Sequence, residues 1–401
     1  MAKRRITRRQ FLKDVSVTCA CGNLLMSPLS SVAAVGKEKL TASTKALPNM
    51  EYRTLGRTGL KVSVLSFGVM RLTDPAVLFE ALEMGVNYFD TAHVYQNGRN
   101  EEMLGDVLKD YGREKAFIAT KIPPYRKGMV LKQLQDTSAM EGMMEKSLQR
   151  LKTEYVDVLL LHNIEEPSWS VNEEMMKFLE KQKKAGKARF TGISFHAEGH
   201  RYVEIVSEAL KPNFYDVFLA THNFKSPPEH IEALRLARSK QVGIISMKTQ
   251  AGGYHKGVVG GLNPHQAALK WVLDHDFVDC AIPGMVNREH VRENVGAVGK
   301  KSRWGDRKVL DAYYAKIKDR YCVRCGHCSS SCSRSVDIPS VHRSLMYWEG
   351  YDDRELGRMT YGELSIEENA QACMSCSAPT CRCVNGINIA ERMRYAHTTL
   401  A

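Results

Sequence analysis

Eight short runs rich in β-branched and other apolar residues recur through the middle of this chain, with amphipathic stretches between them. The runs are VSVLSFG (62–68), VNYFDTA (86–92), AFIATK (116–121), YVDVLLLH (155–162), RFTGISFH (189–196), YDVFLAT (215–221), VGIISMK (242–248) and VDCAIPG (278–284). Strands that alternate with helices predict a parallel α/β sheet, whose strands are buried on both faces. Eight such units over about 250 residues predict a closed (β/α)8 TIM barrel. An open doubly wound sheet is disfavoured, because the sequence has no G-x-G-x-x-G fingerprint.

Six of these runs end at or just before a polar residue, and these residues are Asp90, Lys121, His162, Ser194, Asn223 and Lys248. In a TIM barrel the reactive groups sit at the carboxyl ends of the strands. Each residue alone has an ordinary interpretation, such as a helix cap, a solvated charge or a satisfied buried histidine. Six polar residues on one rim are hard to explain by packing, so we expect an active site there.

The segments NYFDTAHVY, ATK and LLLHN carry the Asp, Tyr, Lys and His pattern of the aldo-keto reductase superfamily, which the chain resembles over about residues 50–300. The resemblance implies that Tyr95 is the general acid in carbonyl reduction and the general base in alcohol oxidation. It implies that Lys121 lowers the pKa of Tyr95 and that Asp90 holds Lys121. His162 would orient the substrate oxygen, and hydride would come from a reduced nicotinamide.

The segment AIPGMVNREHVRENVGA resembles the phosphate and adenine part of the same family's cofactor site. The cofactor contacts that the resemblance implies are Ser194, Asn223, Lys248, Gly284, His290, Glu293 and Asn294. Gly284 stands where the family often has Lys, and His290 where it often has Arg. A neutral His is a weaker anion partner than Arg. NADP(H) is therefore the family expectation, and the sequence leaves NAD(H) open.

Eight of the eleven cysteines fall after residue 320, in two groups of four. Cys322, Cys325, Cys328 and Cys332 form the C-x2-C-x2-C-x3-C run of bacterial ferredoxins, with Ser333 in place of the usual proline. The second group is Cys373, Cys376, Cys381 and Cys383, in which the third cysteine has moved by two residues. An Ile stands six residues after the last cysteine of each group, and a stretch compatible with a short helix follows. This pseudo-repeat predicts a two-cluster, ferredoxin-like module.

In such modules the fourth cysteine of each run binds the other cluster. One [4Fe–4S] cluster would use the first three cysteines with Cys383, and the other would use Cys373, Cys376 and Cys381 with Cys332. Zinc and disulfides are the alternatives. Eight thiols are too many for one zinc, and disulfide bonding does not explain the ferredoxin-like spacing of the cysteines. Cys280, alone at the eighth strand, is interpreted as a core residue.

The N-terminus contains TRRQFLK followed by a modestly apolar stretch, which resembles a twin-arginine export signal. Small residues near Ala33 and Ala34 offer a cleavage site. We expect a leader over residues 1–36 that engages the twin-arginine translocase, and therefore a location in the periplasm or on the outer face of the membrane. The alternative is a basic, disordered N-terminus. Cys19 and Cys21 lie inside this segment.

The sequence therefore predicts a linker over residues 37–49, a reductase barrel over 50–312 and a ferredoxin-like domain over 313–401. The net charge of +12 is concentrated in the N-terminus, and no basic face with interleaved aromatics supports nucleic-acid binding. The substrate would be a carbonyl or alcohol, and a redox partner protein is a further expectation. Two rival interpretations stay open, namely clusters that are only structural and an electron-transfer or binding module on an inactive barrel. The sequence does not indicate an oligomeric state.

Overall fold

The structure is a computed structural model that describes residues 50–124, 137–197, 199–254, 257–259 and 263–401. From Met50 onward the described residues belong to one compact unit. The expected leader and linker, with Cys19 and Cys21, lie outside the described residues.

Eight parallel strands form the central sheet, and each strand pairs with the next along the chain. They are β3 (Phe67–Gly68), β4 (Tyr88–Asp90), β5 (Phe117–Ile122), β6 (Val156–Leu161), β7 (Ala188–Phe195), β8 (Val217–Thr221), β9 (Gly243–Met247) and β10 (Cys280–Ala281). Parallel bridges from Leu65 to Ala281 and from Gly68 to Gly284 join the last strand to the first. The predicted barrel is thereby confirmed.

A helix follows each barrel strand in the part of the chain that is described. These helices are α1 (Pro75–Glu83), α2 (Arg99–Tyr111), α3 (Ser138–Leu151), α4 (Glu173–Lys184), α5 (Gly199–Leu210), α6 (Pro228–Ser239), α7 (Pro264–Leu273) and α8 (Arg288–Val295). The side chains of Asp74, Asn172 and Asn263 cap α1, α4 and α7 by accepting bonds from backbone N–H groups. None of the described helices has the length and apolar character needed to cross a bilayer.

A hairpin precedes the barrel and was not predicted. Strand β1 (Tyr52–Thr54) pairs antiparallel with β2 (Lys61–Ser63). The predicted first run is therefore divided, because residues 61–63 belong to the hairpin and only Phe67–Gly68 enters the barrel. The reason is packing: Leu55 and Val62 are fully buried against the side chains that fill the barrel interior.

The chain continues beyond the barrel into four helices, α9 (Trp304–Ile317), α10 (Ile338–Leu345), α11 (Arg354–Gly362) and α12 (Ile389–Leu400), with a π-helical turn at Met346–Gly350. The predicted boundary between residues 312 and 313 falls inside α9. The two helices expected after the cysteine groups are present, and they begin at Ile338 and Ile389, each capped by the preceding residue. A ferredoxin-like identity for this segment stays a prediction.

Candidate active site

Four predicted catalytic residues meet at the carboxyl ends of the strands. Asp90 ends β4, Lys121 lies near the end of β5, His162 follows β6, and Tyr95 begins the 3-10 turn Tyr95–Gly98. The Nζ atom of Lys121 lies 2.5 Å from Oδ1 of Asp90 and 3.1 Å from the hydroxyl oxygen of Tyr95. The rings of Tyr95 and His162 meet edge to face with centroids 5.7 Å apart. Residues far apart in the chain are thus in one contact group.

Lys121 and Asp90 form a buried ion pair, since the two residues are only 1% and 2% exposed. The Lys121 ammonium also donates to the carbonyl oxygen of Thr91 at 2.6 Å. Burial is the largest single effect and lowers the pKa of Lys121, but the contacts with Asp90 and Tyr95 together raise it by more, so the net direction is upward. Lys121 therefore remains an ammonium beside Tyr95 at neutral pH.

The pKa of Tyr95 differs from the sequence-based expectation. Burial raises it, and this effect exceeds the lowering by the Lys121 ammonium, while Asp90 raises it further. The net shift is therefore above the ordinary phenol value and not below it. Tyr95 keeps its proton at neutral pH, which is the state that a general acid requires.

His162 is half-buried beside this group. Burial lowers the pKa of His162 well below 6.5, and the charges of Lys121 and Arg343 lower it further. The imidazole is therefore neutral through the physiological range. A neutral imidazole keeps one N–H donor and one acceptor. It can therefore hydrogen-bond an oxygen without adding a second positive charge.

The predicted nicotinamide contacts lie on the ends of the next three strands. Ser194 in β7 accepts a bond from the backbone N–H of Asn163 at 2.9 Å. Asn223, after β8, donates to the carbonyl oxygen of Lys248 at 3.1 Å. Lys248 follows β9 and has a left-handed backbone with φ of 55°. All three stand on the same rim as Lys121.

The predicted phosphate and adenine contacts form a second group after β10. Gly284 is exposed and bridges to Gly68. His290 lies in α8, where its Nδ1 accepts a bond from the backbone N–H of Val286 at 3.4 Å. The other two predicted contacts lie in α8 and accept hydrogen bonds from glutamines. The backbone carbonyl of Glu293 accepts from Gln266 at 2.6 Å, and the side chain of Asn294 accepts from Gln250 at 3.0 Å.

The C-terminal segment (residues 313–401) also reaches the barrel mouth. The hydroxyl of Tyr321 accepts a bond from Asn223 at 2.9 Å, and the hydroxyl of Tyr347 lies 3.4 Å from Nζ of Lys248. A Cβ added at Gly350 would stand 2.1 Å from the carbonyl oxygen of Gly252, so the two backbones meet almost directly. Neither tyrosine was predicted to reach the barrel mouth, because the aromatic segment around residue 347 was interpreted only as packing or as a partner-docking surface.

The second predicted cluster set comes together in the structure. Cys332, Cys373, Cys376 and Cys381 line one cavity at the outer side of the C-terminal segment. Burial raises the pKa of the Cys373 thiol to about 11, and the nearby Cys332, Cys381 and Cys376 contribute to the same shift. Cys332 comes from the first cysteine run, so this cavity brings one cysteine of the first run beside three of the second.

The first predicted set lies closer to the barrel. Asn385 donates from its backbone N–H to Sγ of Cys383 at 3.4 Å and from its side chain to Sγ of Cys325 at 3.9 Å. Tyr314 in α9 has its pKa raised by burial and then by Cys383, Cys322 and Cys325. Asn385 therefore lies beside one cysteine of each run, Cys383 and Cys325.

No disulfide bond joins the eight cysteines of the two sets, all of which lie in the described part of the chain. Within those same residues, no group of three or more His, Cys, Asp or Glu side chains is arranged to hold a metal ion. Cys280 is fully buried in the barrel interior, as expected of a core residue. Burial raises the pKa of its thiol above the ordinary range.

Comparison with known proteins gives consistent sequence matches. A model of the aldo/keto reductase family matches residues 72–259. L-galactose dehydrogenase from Arabidopsis thaliana is 31% identical over 314 residues, which span 68% of this chain and 96% of that protein. The uncharacterised oxidoreductase YrpG from Bacillus subtilis is 32% identical over 230 residues, which span 51% of this chain and 68% of that protein.

Solved structures share the barrel. The aldo-keto reductase AKR11C1 from Bacillus halodurans, in its holo form, superposes with a TM-score of 0.54 and 25% identity over 66% of this chain and 96% of that chain. An aldo-keto reductase from Klebsiella pneumoniae in complex with NADPH superposes with a TM-score of 0.54 at 22% identity, over 66% of this chain and 95% of that chain. At that identity the second likeness concerns the fold alone.

Proposed function

This chain belongs to the aldo/keto reductase family and is an oxidoreductase, and on that premise we propose that it transfers hydride between a nicotinamide dinucleotide and the carbonyl or alcohol group of a small molecule. The observation that carries the proposal is the contact of Lys121 with both Tyr95 and Asp90 at the barrel mouth. The matched family segment contains all four predicted catalytic residues.

Each residue of the site has a separate task in carbonyl reduction. The bound reduced nicotinamide supplies the hydride. Tyr95 donates its hydroxyl proton to the carbonyl oxygen, and the adjacent Lys121 ammonium stabilises the phenolate that remains. Neutral His162 donates a hydrogen bond to the same oxygen and orients it. In alcohol oxidation the proton returns to Tyr95.

Two lines of support concern the cofactor and the substrate. NADP(H) is the cofactor that the family resemblance implies. Gly284 and His290 replace residues that often bind the extra phosphate, so NAD(H) remains the alternative. The relative that acts on L-galactose makes a sugar or another hydroxyaldehyde the first substrate class to test.

A substrate and cofactor panel tests this proposal. The full chain would be assayed with NADPH and NADH against aldehydes, ketones and aldoses, and with NADP⁺ and NAD⁺ against L-galactose and simple alcohols. Nicotinamide oxidation or reduction that depends on the organic substrate supports hydride transfer. An enzyme that binds nicotinamide tightly but turns over no substrate of either class would favour an electron-transfer or binding module on an inactive barrel.

We further propose that the two cysteine sets hold two [4Fe–4S] clusters. Cys322, Cys325, Cys328 and Cys383 would bind one, and Cys373, Cys376, Cys381 and Cys332 the other. Four thiols around one cavity, with Cys332 supplied by the opposite run, fit such a cluster. Each cysteine of a cluster binds a different iron, so the four sulfur atoms stand further apart than the ligands of a single ion. This spacing is compatible with the lack of a single-ion site among the described residues.

Bound clusters would supply one-electron transfer, and a redox partner protein would then exchange electrons with the enzyme. Cys322 lines the same cavity as Asn223 and Lys248, so the first set lies next to the predicted nicotinamide contacts. The second candidate role is structural, because five of the eight cysteines also pack in the apolar core of the C-terminal segment, namely Cys328, Cys332, Cys373, Cys381 and Cys383. Cys376→Ser separates the two roles: unchanged carbonyl turnover with a lower melting temperature supports the structural one.

We propose that the protein is exported by the twin-arginine route to the periplasm or to the outer face of the cytoplasmic membrane, and the N-terminal sequence supports this. Changing Arg8 and Arg9 to Lys together should leave the protein in the cytoplasmic fraction, whereas Arg4 and Arg5 changed in the same way serve as a matched control. Equal distribution of both variants and the parent would contradict the proposal.

A further inference from the structure

A cavity separates the barrel mouth from the C-terminal segment and is lined by both. It is open to solvent on one side. Its polar lining includes Asn223, Lys225 and Lys248 from the barrel, and Arg324, His342 and Arg343 from the C-terminal segment. Four of these six side chains carry a positive charge.

Lys248 lines the cavity, and no described contact brings a negatively charged group to its ammonium. Its Nζ atom lies 3.4 Å from the hydroxyl of Tyr347 and 5.2 Å from the centre of the same ring. Burial lowers the pKa of Lys248 well below its ordinary value, and the charges of Arg343 and Arg324 lower it further. A buried ammonium among other cations is costly. An anion bound between them would relieve this cost.

Arg324 is held in a fixed orientation at the edge of the cavity. Its Nε donates to the carbonyl oxygen of His196 at 2.7 Å, and its Nη1 donates to that of Pro339 at 3.1 Å. Its own carbonyl accepts the backbone N–H of Gly199 at 2.9 Å. The bonds with His196 and Gly199 join the barrel to the C-terminal segment. All three bonds position the guanidinium without neutralising it, because they involve uncharged backbone groups.

His342 adds an independent observation. Its side chain is 2% exposed, it lines the cavity, and neither ring nitrogen has a hydrogen-bond partner in the structure. A buried imidazole without partners loses the free energy of two hydrogen bonds. A ligand oxygen in the cavity would supply a partner for its N–H. The position of His342 therefore points to a polar ligand as well as to an anionic one.

We propose that this cavity binds a phosphate-type anion between Lys248, Arg324 and His342, so that the C-terminal segment supplies half of a ligand site at the barrel mouth. The anion belongs either to the diphosphate of the dinucleotide or to a phosphate group on the substrate. Anion binding is measured without turnover, so this inference and hydride transfer succeed or fail separately.

Calorimetric titration of the full chain with inorganic pyrophosphate tests the inference. Lys248→Met and Arg324→Met should each weaken binding by about tenfold or more, because each removes a charge-assisted contact. The matched controls are Lys318→Met and Arg307→Met, which remove exposed cations that do not line the cavity. Controls that bind like the parent, with both cavity variants weakened, support the site. Equal binding by all five proteins, or none by the parent, overturns it.

A second readout guards against variants that are merely unstable. Pyrophosphate should raise the melting temperature of the parent and of both controls, since a ligand of the folded state stabilises it. The same addition should leave the melting temperatures of Lys248→Met and Arg324→Met unchanged. His342→Leu should reduce the rise, and an unaltered rise in all three cavity variants would also overturn the site.

Competition then identifies the source of the anion. NADPH binding would be followed by its fluorescence at increasing pyrophosphate. If pyrophosphate displaces NADPH in the parent, the site holds the diphosphate of the cofactor. If NADPH still binds at saturating pyrophosphate, the site belongs to a phosphorylated substrate, and sugar phosphates should then compete with pyrophosphate. Either outcome supports the anion site, whereas competition that persists unchanged in both Met variants contradicts it.

Discussion

The Nζ atom of Lys121 lies 3.1 Å from the hydroxyl oxygen of Tyr95, so a buried ammonium contacts a half-buried phenol. Lys121 is also anchored by Asp90 and by the carbonyl oxygen of Thr91, so its position is fixed from three sides. A proton that leaves Tyr95 therefore leaves a phenolate already facing an ammonium. The predictions on catalysis begin from this contact.

Tyr95→Phe should lower kcat for carbonyl reduction by about 10²–10⁴-fold, since it removes the proton donor while keeping the ring. Nicotinamide binding, measured by fluorescence, should stay within about twofold of the parent. Tyr52→Phe removes a hydroxyl that bonds the Gly85 carbonyl in the N-terminal hairpin region and is the matched control. Retained turnover in Tyr95→Phe would remove Tyr95 from the mechanism.

The two directions of the reaction should depend on pH with opposite sign. The pKa of Tyr95 is raised above its ordinary value near 10, so the acid form needed for reduction persists across neutral pH. The rate of carbonyl reduction should be independent of pH near neutrality and should fall only at strongly alkaline pH. The rate of alcohol oxidation should rise towards that alkaline pH. The pKa of His162 lies well below 6.5, so neither reaction rate should change in the pH range around 6.5. Initial rates from pH 5 to 11 check both statements.

Asp90→Asn should destabilise the fold as well as slow catalysis. The change leaves the Lys121 ammonium buried without its carboxylate, which costs about 3–5 kcal/mol in comparable buried pairs. Denaturant unfolding measures this loss, and exposed Asp110→Asn is the control. A free energy of unfolding within about 1 kcal/mol of the parent would show that the pair contributes little.

The barrel could be predicted from local patterns in the sequence, whereas the Asp90–Lys121 contact was implied by the resemblance to the aldo-keto reductase superfamily. Apolar runs mark the strands, and a polar residue at the end of a parallel strand must stand on the common rim. The hairpin was missed because one continuous apolar run, residues 62–68, serves two sheets. The Tyr321–Asn223 bond could not be anticipated, since it depends on how the C-terminal segment docks on the barrel. The fall in Tyr95 acidity was also missed, because burial is a property of the assembled site.

Cysteine variants should reveal the crossed pairing of the two runs. Cys325→Ser and Cys383→Ser should damage the same cluster, whereas Cys332→Ser and Cys373→Ser should damage the other. Anaerobic purification followed by iron and acid-labile sulfide assay should give about half the parent content in each variant. Cys280→Ala, in the barrel interior, should retain the full content. A parent protein without iron or sulfide would contradict the cluster proposal outright.

Acid should destabilise the protein partly through His222. Its side chain is fully buried, neither ring nitrogen has a hydrogen-bond partner, and burial, followed by His275 and His230, lowers its pKa to about 3. Above pH 6.5, the pKa of the residue in the unfolded state, His222 is neutral in both states and its titration does not change the free energy of unfolding. As pH falls below 6.5, only the unfolded state takes up the proton, so stability falls by about 2 kcal/mol at pH 5.

The variant His222→Phe should remove that part of the pH dependence. Its free energy of unfolding should change less between pH 7.5 and pH 5 than that of the parent, by about 2 kcal/mol. His200→Phe replaces an exposed histidine of α5 and should leave the slope unchanged. Parallel curves for parent and His222→Phe would show that His222 titrates in the folded protein as it does in the unfolded chain.

The close approach of Gly350 to Gly252 has a consequence for biosynthesis. The barrel leaves the ribosome before the segment that covers its mouth, so a nascent chain presents Lys248 and Asn223 to solvent until Tyr321 and Tyr347 arrive. Ligands therefore reach these side chains more freely before the two backbones dock than after. The order of residues along the chain thereby sets when each wall of the site is added.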